Sequence, residues 1–301
     1  MSMTKKFLFY STPFLLLFFG LALFEPYIHQ NIFASTKIDK IKKKDFEVIA
    51  HKGASGYAPE NTLAAFQLAL DMGVDMIEVD VRHTKDEEII VFHDQTLDRT
   101  TNGTGDVHDY TLEEIKEFDA GSWYDSKFAD ERIPTLKEVL DLVDGKCKVL
   151  IEIKHMDHPH YHDFSEKLID IIKQERNGFE WVILQSYETT YLEEAHAYDD
   201  RIQTKQMLIG EDSAPLIAFY VETRMHLGRS EKSDQMKALN PHYKTLSPRR
   251  VFRMHARGYK VYAYPVNDRK DMIKQLNMGV DGLITDYPDI AIELRKQVQK
   301  L

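Results

Sequence analysis

Glu78 and Asp80 stand two residues apart in the apolar run MIEVDV, and His93 closes a second run, EIIVFH, thirteen residues after Asp80. A third run, EVIAH, ends at His51 and leads into KGASGYAPENT. Alternate side chains of a β-strand share a face, so Glu78 and Asp80 are expected to project together. Hard carboxylate oxygens on one face suit a divalent cation, and the flanking histidines, with an unperturbed pKa of about 6.5, suit proton transfer. KVLIEIK repeats the pattern, because Glu152 and Lys154 again lie two apart. If both strands line one barrel, Glu78, Asp80 and Glu152 converge on a single ion at its C-terminal end. Three carboxylates favour Ca2+ or Mg2+, with Mn2+ and Zn2+ left open. His51 and His93 then fit an acid and a base on opposite sides of a phosphoryl group, and Lys52 and Lys154 supply positive charge to its oxygens. The competing reading pairs the acids with Arg82 and Lys154 and makes each histidine a satisfied core residue. Acids on barrel-lining strands are costly to bury without a cation, which favours the metal.

The elements that must position these residues alternate in type. The β-rich runs EVIAH, MIEVDV, EIIVFH, KVLIEIK, WVILQSY, TKQMLIG, KALNPHYKTL, KVYAYPVN and DGLITDYP are separated by helical patterns such as TLAAFQLALDMG, TLKEVLDLV, FSEKLIDIIKQER, TTYLEEAHAYD, SPRRVFRMHARG and RKDMIKQLNMG. Repeated βα units imply an α/β fold, and eight or nine strands in about 255 residues after the N-terminal segments suit a (β/α)8 TIM barrel. VFH is read as a hairpin extension of MIEVDV. A doubly wound sheet is the alternative, but HKGASG lacks the three-glycine spacing of a dinucleotide turn. Residues 94–133 break the alternation with a polar, turn-rich and aromatic stretch, too long for an ordinary βα loop and read as an inserted subdomain over the barrel rim.

The chain has 301 residues and a net charge of −10, which argues against a broad nucleic-acid surface. Cys147 is the single cysteine, so no intrachain disulfide forms; it is read as a small hydrophobe entering KVLIEIK. Lys5 and Lys6 precede an uncharged apolar stretch from Phe7 to Phe24, the pattern of an export signal or membrane anchor. Residues 1–35 are therefore expected to be a signal peptide, cleaved after Ala34, or a retained anchor. Residues 36–45 carry five lysines and form a basic tether, and 46–301 hold the barrel. The charge rule then places the barrel outside the cytoplasm, membrane-anchored or secreted.

HKGASGYAPENT, the Glu78/Asp80 pair, VFHDQTLDRTTNGTG, IEIK and DGLITDYP, in that order, resemble the glycerophosphodiester phosphodiesterase family from about Val48 to Pro288. The resemblance implies a TIM barrel with a small insertion after the second histidine, and cation-dependent hydrolysis of glycerophosphodiesters to sn-glycerol 3-phosphate and an alcohol. It implies that His51 and His93 are the acid/base pair, that Glu78, Asp80 and Glu152 are the metal ligands, and that Lys154 contacts phosphate. Glu60 and Asn61 fall in the PENT turn, Glu60 as an outer-shell residue, a helix-start group or, less favoured, a direct metal contact. Asp286 in the last-strand motif is structural or catalytic. Lys52 stands where the family usually has Arg, Tyr264 where a Trp is common, and His83 at a position commonly apolar. The nucleophile is water or the substrate's own 2-hydroxyl. Trp123, Tyr124 and Phe128 either select the alcohol or form the insertion's miniature core. Alternatives to the implied activity are a lysophospholipase D acting at the membrane and a catalytically weak binder of glycerophosphate polymers.

Overall fold

The computed structural model describes residues 25–154, 163–208 and 236–301. The expected N-terminal signal or anchor lies outside them up to residue 24. Among the described residues no helix is long and apolar enough to cross a membrane.

Eight parallel strands close into a barrel: β1 (Glu47–Ala50), β2 (Met76–His83), β4 (Lys148–Ile153), β5 (Val182–Ser186), β6 (Gln203–Leu208), β7 (Met236–Pro241), β8 (Lys260–Ala263) and β9 (Gly282–Thr285). β1 pairs with both β9 and β2, which closes the ring. The fold is the expected TIM barrel. β3 (Ile89–Val91) runs antiparallel to the end of β2, so EIIVFH folds back as a hairpin and is no barrel stave.

Among the described residues after β1 the helices are α1 (Leu63–Met72), α2 (Leu112–Ile115), α3 (Leu136–Val143), α4 (Phe164–Gln174), α5 (Gly178–Trp181), α6 (Thr189–Tyr198), α7 (Pro248–Ala256), α8 (Arg269–Met278) and α9 (Pro288–Gln299). Local chemistry sets their ends. Thr111 with Glu114 and Thr135 with Glu138 form capping boxes, and Gly73 and Gly279 end α1 and α8 in the left-handed conformation that glycine adopts without strain. Trp181 belongs to α5, not to the strand expected from WVILQSY, and α9 is an addition to the expected helices, with Ala291, Leu294 and Val298 buried at helical spacing.

The two-residue period of the strands sorts their side chains into two cores. Ile77, Val79, Val81, Val149, Ile151, Ile153, Val182 and Leu184 pack outward against helices, while Ile49, Met76, Leu150, Ile183, Met207, Tyr262 and Ile284 fill the barrel interior. Lys205 shares this interior, its ammonium 3.9 Å from the centre of the Tyr262 ring; burial pushes its pKa down to about 7. On β2 and β4 the inward positions above Met76 and Leu150 are Glu78, Asp80 and Glu152. Apolar filling thus gives way to carboxylates toward the C-terminal end, and Asp80 stands in register with Glu152.

Residues 94–133 hold short helical turns and α2 around their own cluster of Leu97, Val107, Ile115 and Ala120, joined by Ile90, Phe92 and Ile133. Trp123, Tyr124 and Phe128 stay outside that cluster and pack edge to face on one another, at 5.7 Å and 5.9 Å between centroids. The Tyr124 hydroxyl donates to the Gly56 carbonyl, so these aromatics lean on the turn after His51.

Candidate active site

The turn after β1 is the first wall of the site. Lys52 and Asn61 both adopt left-handed backbone, with φ of 55° and 58°, an uncommon conformation for residues other than glycine. Gly53 between them is obligatory on two counts: its φ is 82°, and a Cβ would lie 2.7 Å from the Ala65 backbone in α1. This contorted turn brings the Lys52 amide 2.9 Å from Glu78 Oε2, and the Asn61 amide group donates to Asp80 Oδ2 at 2.7 Å. Asn61 is therefore a clamp on the acidic pair.

Glu78, Asp80 and Glu152 are all buried, and one ligand oxygen from each lies within 4.8 Å of the others. The Lys154 ammonium sits 2.9 Å from Asp80 Oδ1 and also bonds Glu152, at the mouth of the trio. Asp80 Oδ1 has that ion pair but no well-directed hydrogen bond. Burial and the neighbouring Asp80 charge raise the Glu78 pKa, and burial also raises Glu152 despite Lys154. Burial would raise Asp80 as well, but Lys154, Lys52 and His93 outweigh it and hold that carboxyl well below its usual range. One ammonium thus leaves the trio short of positive charge. A set of oxygen donors with that deficit fits a hard divalent ion.

The two expected histidines flank the trio, each braced by an aspartate. His51 Nδ1 lies 2.6 Å from Asp286 Oδ1, and His93 Nδ1 lies 2.6 Å from Asp94 Oδ1. Burial opposes charge on both rings. At His51 the Asp286 hydrogen bond and Glu78 outweigh it and raise the pKa; at His93 burial prevails over Asp80, helped by Lys154 and Lys52, and the pKa falls. Asn267 donates to Asp286 in turn.

Glu60 takes neither a metal-facing nor a helix-start position. Thr62 caps α1, and Glu60 instead accepts from Lys52 Nζ at 3.0 Å and from both terminal nitrogens of Arg99 at 2.9 and 2.7 Å. Arg99 also bonds both oxygens of Asp94. A continuous chain of charge therefore runs Lys52, Glu60, Arg99, Asp94, His93. Tyr264 is buried and its hydroxyl bonds that of Tyr187, whose pKa is raised by burial and by Glu152. His83 stacks on His108 at 4.0 Å, away from the trio. Cys147 packs against the core with its thiol pushed up to about 12 by burial, an unreactive state.

Asp94, Arg99, Gln185, Tyr187 and Asn240 escaped sequence reasoning. Gln185 interrupts an apolar strand at an inward position and donates to Glu78 at 3.4 Å, with Asn240 donating to it from β7. A polar residue at core parity was the available signal. Arg99 carried none. We predict that Arg99→Gln lowers kcat/KM by about 10- to 100-fold, mainly through kcat, while the melting temperature moves little because Arg99 is half exposed. A loss confined to KM would show that Arg99 does not act through His93.

A sequence profile described as the Glycerophosphoryl diester phosphodiesterase family matches residues 51–290. A glycerophosphodiester phosphodiesterase of Caldanaerobacter subterraneus subsp. tengcongensis is 40% identical over 248 residues, spanning 82% of this chain and 96% of that protein. One from Bacillus subtilis is 34% identical over 278 residues, spanning 87% and 91%. Among solved structures, an Oleispira antarctica phosphodiesterase in complex with the product sn-glycerol-3-phosphate superposes with a TM-score of 0.70 at 30% identity, over 82% of this chain and 96% of that one. The chain is a member of the glycerophosphoryl diester phosphodiesterase family.

Proposed function

We propose that the protein hydrolyses glycerophosphodiesters to sn-glycerol 3-phosphate and an alcohol, with Glu78, Asp80 and Glu152 as the ligands of one divalent cation, Ca2+ or Mg2+. The observation that carries this reading is the pair of aspartate-braced histidines flanking a buried carboxylate trio. When bound, the cation supplies positive charge to a phosphoryl oxygen. Everything else is work for the chain's own residues. Lys52 and Lys154 neutralise the phosphate oxygens. Each aspartate holds its histidine by Nδ1, leaving Nε2 to exchange a proton with the substrate. His93, with its lowered pKa, starts neutral and takes the proton of the nucleophile. His51, with its raised pKa, starts protonated and delivers a proton to the leaving alcohol.

Exposed Tyr57, Trp123 and Tyr187 favour a second reading, in which an acyl-bearing glycerol lies along them and the substrate is a lysophospholipid.

We also infer that residues 1–24 stay attached as an anchor, with the barrel outside the cytoplasm. Gln30 is buried and donates to the carbonyls of Tyr243 and Leu246 at 2.7 and 2.9 Å, and accepts from Gln275. Cleavage after Ala34 would remove that side chain from its groove, at the cost of buried hydrogen bonds.

One preparation tests these readings together: protein extracted from membranes, whose intact mass is expected to include residues 1–34. Assayed with Ca2+, Mg2+, Mn2+ or Zn2+, it should release sn-glycerol 3-phosphate from glycerophosphocholine and glycerophosphoglycerol. Lysophosphatidate from lysophosphatidylcholine as the dominant product would establish the second reading. Binding of glycerophosphodiesters without turnover under every cation would sink both and leave a polymer-binding role.

A further inference from the structure

We propose that α7 and the adjoining N-terminal segment form a peripheral contact with an anionic bilayer surface, so that the barrel rests on its side against the membrane. From Met236 to Lys260 the chain has seven lysines and arginines and no acid, in a protein whose net charge is −10. α7 lies within that stretch. At 3.6 residues per turn, Arg249, Phe252, Arg253, Ala256 and Arg257 fall on one side, and all five are exposed while Val251 opposite is buried. Arg249, Arg253 and Arg257 form no ion pair among the described residues, whereas His255 turns aside to Asp281 at 2.8 Å.

A basic helix face alone is an ordinary solvated surface. Two further observations separate this one from that reading. Phe252, 71% exposed, stands among the arginines, and Tyr27, Ile32 and Phe33 are 67 to 69% exposed on the segment that docks beside it. Aromatic and aliphatic side chains interleaved with arginine suit the headgroup boundary of a bilayer. The second observation is reach. The apolar run Phe7–Phe24 ends one residue before Glu25, residues 25–28 are helical, and Gln30 is pinned to the carbonyls of Tyr243 and Leu246, just ahead of the α7 cap Ser247. At about 1.5 Å per helical residue, Gln30 stands only about 8 Å beyond Glu25. If the apolar run is in the bilayer, the barrel wall bearing α7 has to meet the headgroups. The charge of Arg249, Arg253 and Arg257, which form no ion pair among the described residues, is complementary to phosphatidylglycerol-type lipids.

The proposal rests on the anchor reading for its location, and the experiment separates the two. Full-length protein with Cys147→Ser and Ala256→Cys is labelled with an environment-sensitive fluorophore and reconstituted into phosphatidylcholine vesicles with or without phosphatidylglycerol. A second preparation carries the label at Asp141→Cys on α3, which lies across the barrel from α7. Headgroup-depth spin-labelled lipid is expected to quench the label at 256 and not at 141, and only when phosphatidylglycerol is present. Combining Arg249→Gln, Arg253→Gln and Arg257→Gln should lower the docked fraction by about fivefold per charge, with turnover of soluble glycerophosphocholine unchanged. Replacing the same three by lysine should retain docking, since point charges suffice. Equal quenching at both positions, or quenching indifferent to phosphatidylglycerol or to the arginines, would overturn the proposal. So would loss of quenching on adding soluble polyglycerol phosphate at matched phosphate concentration, which would assign the face to a polyanion instead. Loss of residues 1–34 in the intact mass would mark failure of the anchor reading; an intact chain without quenching at 256 would mark failure of the docking face alone.

Discussion

His93→Ala is expected to lower kcat on glycerophosphocholine by about 10²- to 10⁴-fold, and the loss should persist when the leaving group is p-nitrophenolate. His51→Ala should show a comparable loss on glycerophosphocholine but recover most of it on the p-nitrophenyl ester. The asymmetry follows from the assigned roles. A leaving group that needs no proton makes a general acid dispensable, whereas the nucleophile still has to be deprotonated. The wild-type profile of kcat/KM should carry the same signature. With the proposed roles, activity should rise as pH passes the lowered pKa of His93, which has to lose its proton to act as the base, and fall as pH passes the raised pKa of His51, which has to keep its own to act as the acid. The plateau therefore brackets about 6.5. Asp286→Asn removes the partner that raises His51 and should bring the alkaline limb down in pH, leaving the acidic limb in place. Recovery on the activated ester in His93→Ala and not in His51→Ala would reverse the two roles. Recovery in neither would remove leaving-group protonation from the rate-limiting step.

The second large effect concerns the acidic trio. Chelation should abolish turnover and lower the melting temperature, and readdition of Ca2+ or Mg2+ should restore both. A cation at about 100 times its dissociation constant stabilises the fold by about 2.7 kcal/mol, which corresponds to several degrees in a domain of this size. Glu78→Gln should separate activity from stability. Above the Glu78 pKa, which burial and the Asp80 charge push up to about 8 without a cation, it removes one of three like charges from a buried cluster that Lys154 alone does not neutralise. In chelator above that pH, the variant should therefore melt above wild type, by on the order of 1 to 3 kcal/mol, and the difference should vanish as pH falls below it and Glu78 takes up its proton. The variant should also lose most cation-induced stabilisation, together with activity. A variant that melts below wild type in chelator and still gains fully from the cation would show that Glu78 is a structural hydrogen-bond acceptor for the Lys52 amide and Gln185.

The parts of the site legible in the sequence are those set by local geometry. A strand alternates faces every two residues, so MIEVDV and KVLIEIK already place Glu78, Asp80 and Glu152 on the side opposite the helix-facing valines and isoleucines. The alternation of runs and helical stretches determined the barrel, and threonine with glutamate three residues on determined where α2 and α3 begin. What the sequence could not determine is everything that requires the ring to close. Asp286 meets His51 across 235 residues because β9 pairs with β1, and Asn240 reaches Gln185 across the barrel interior. Arg99 joins Glu60 to Asp94 because the insertion folds back over the β1 turn. Local spacing carries no record of such contacts, since they depend on strand order and closure. The tertiary structure alone turned two histidines and three acids into a site with braced rings and a deficit of positive charge.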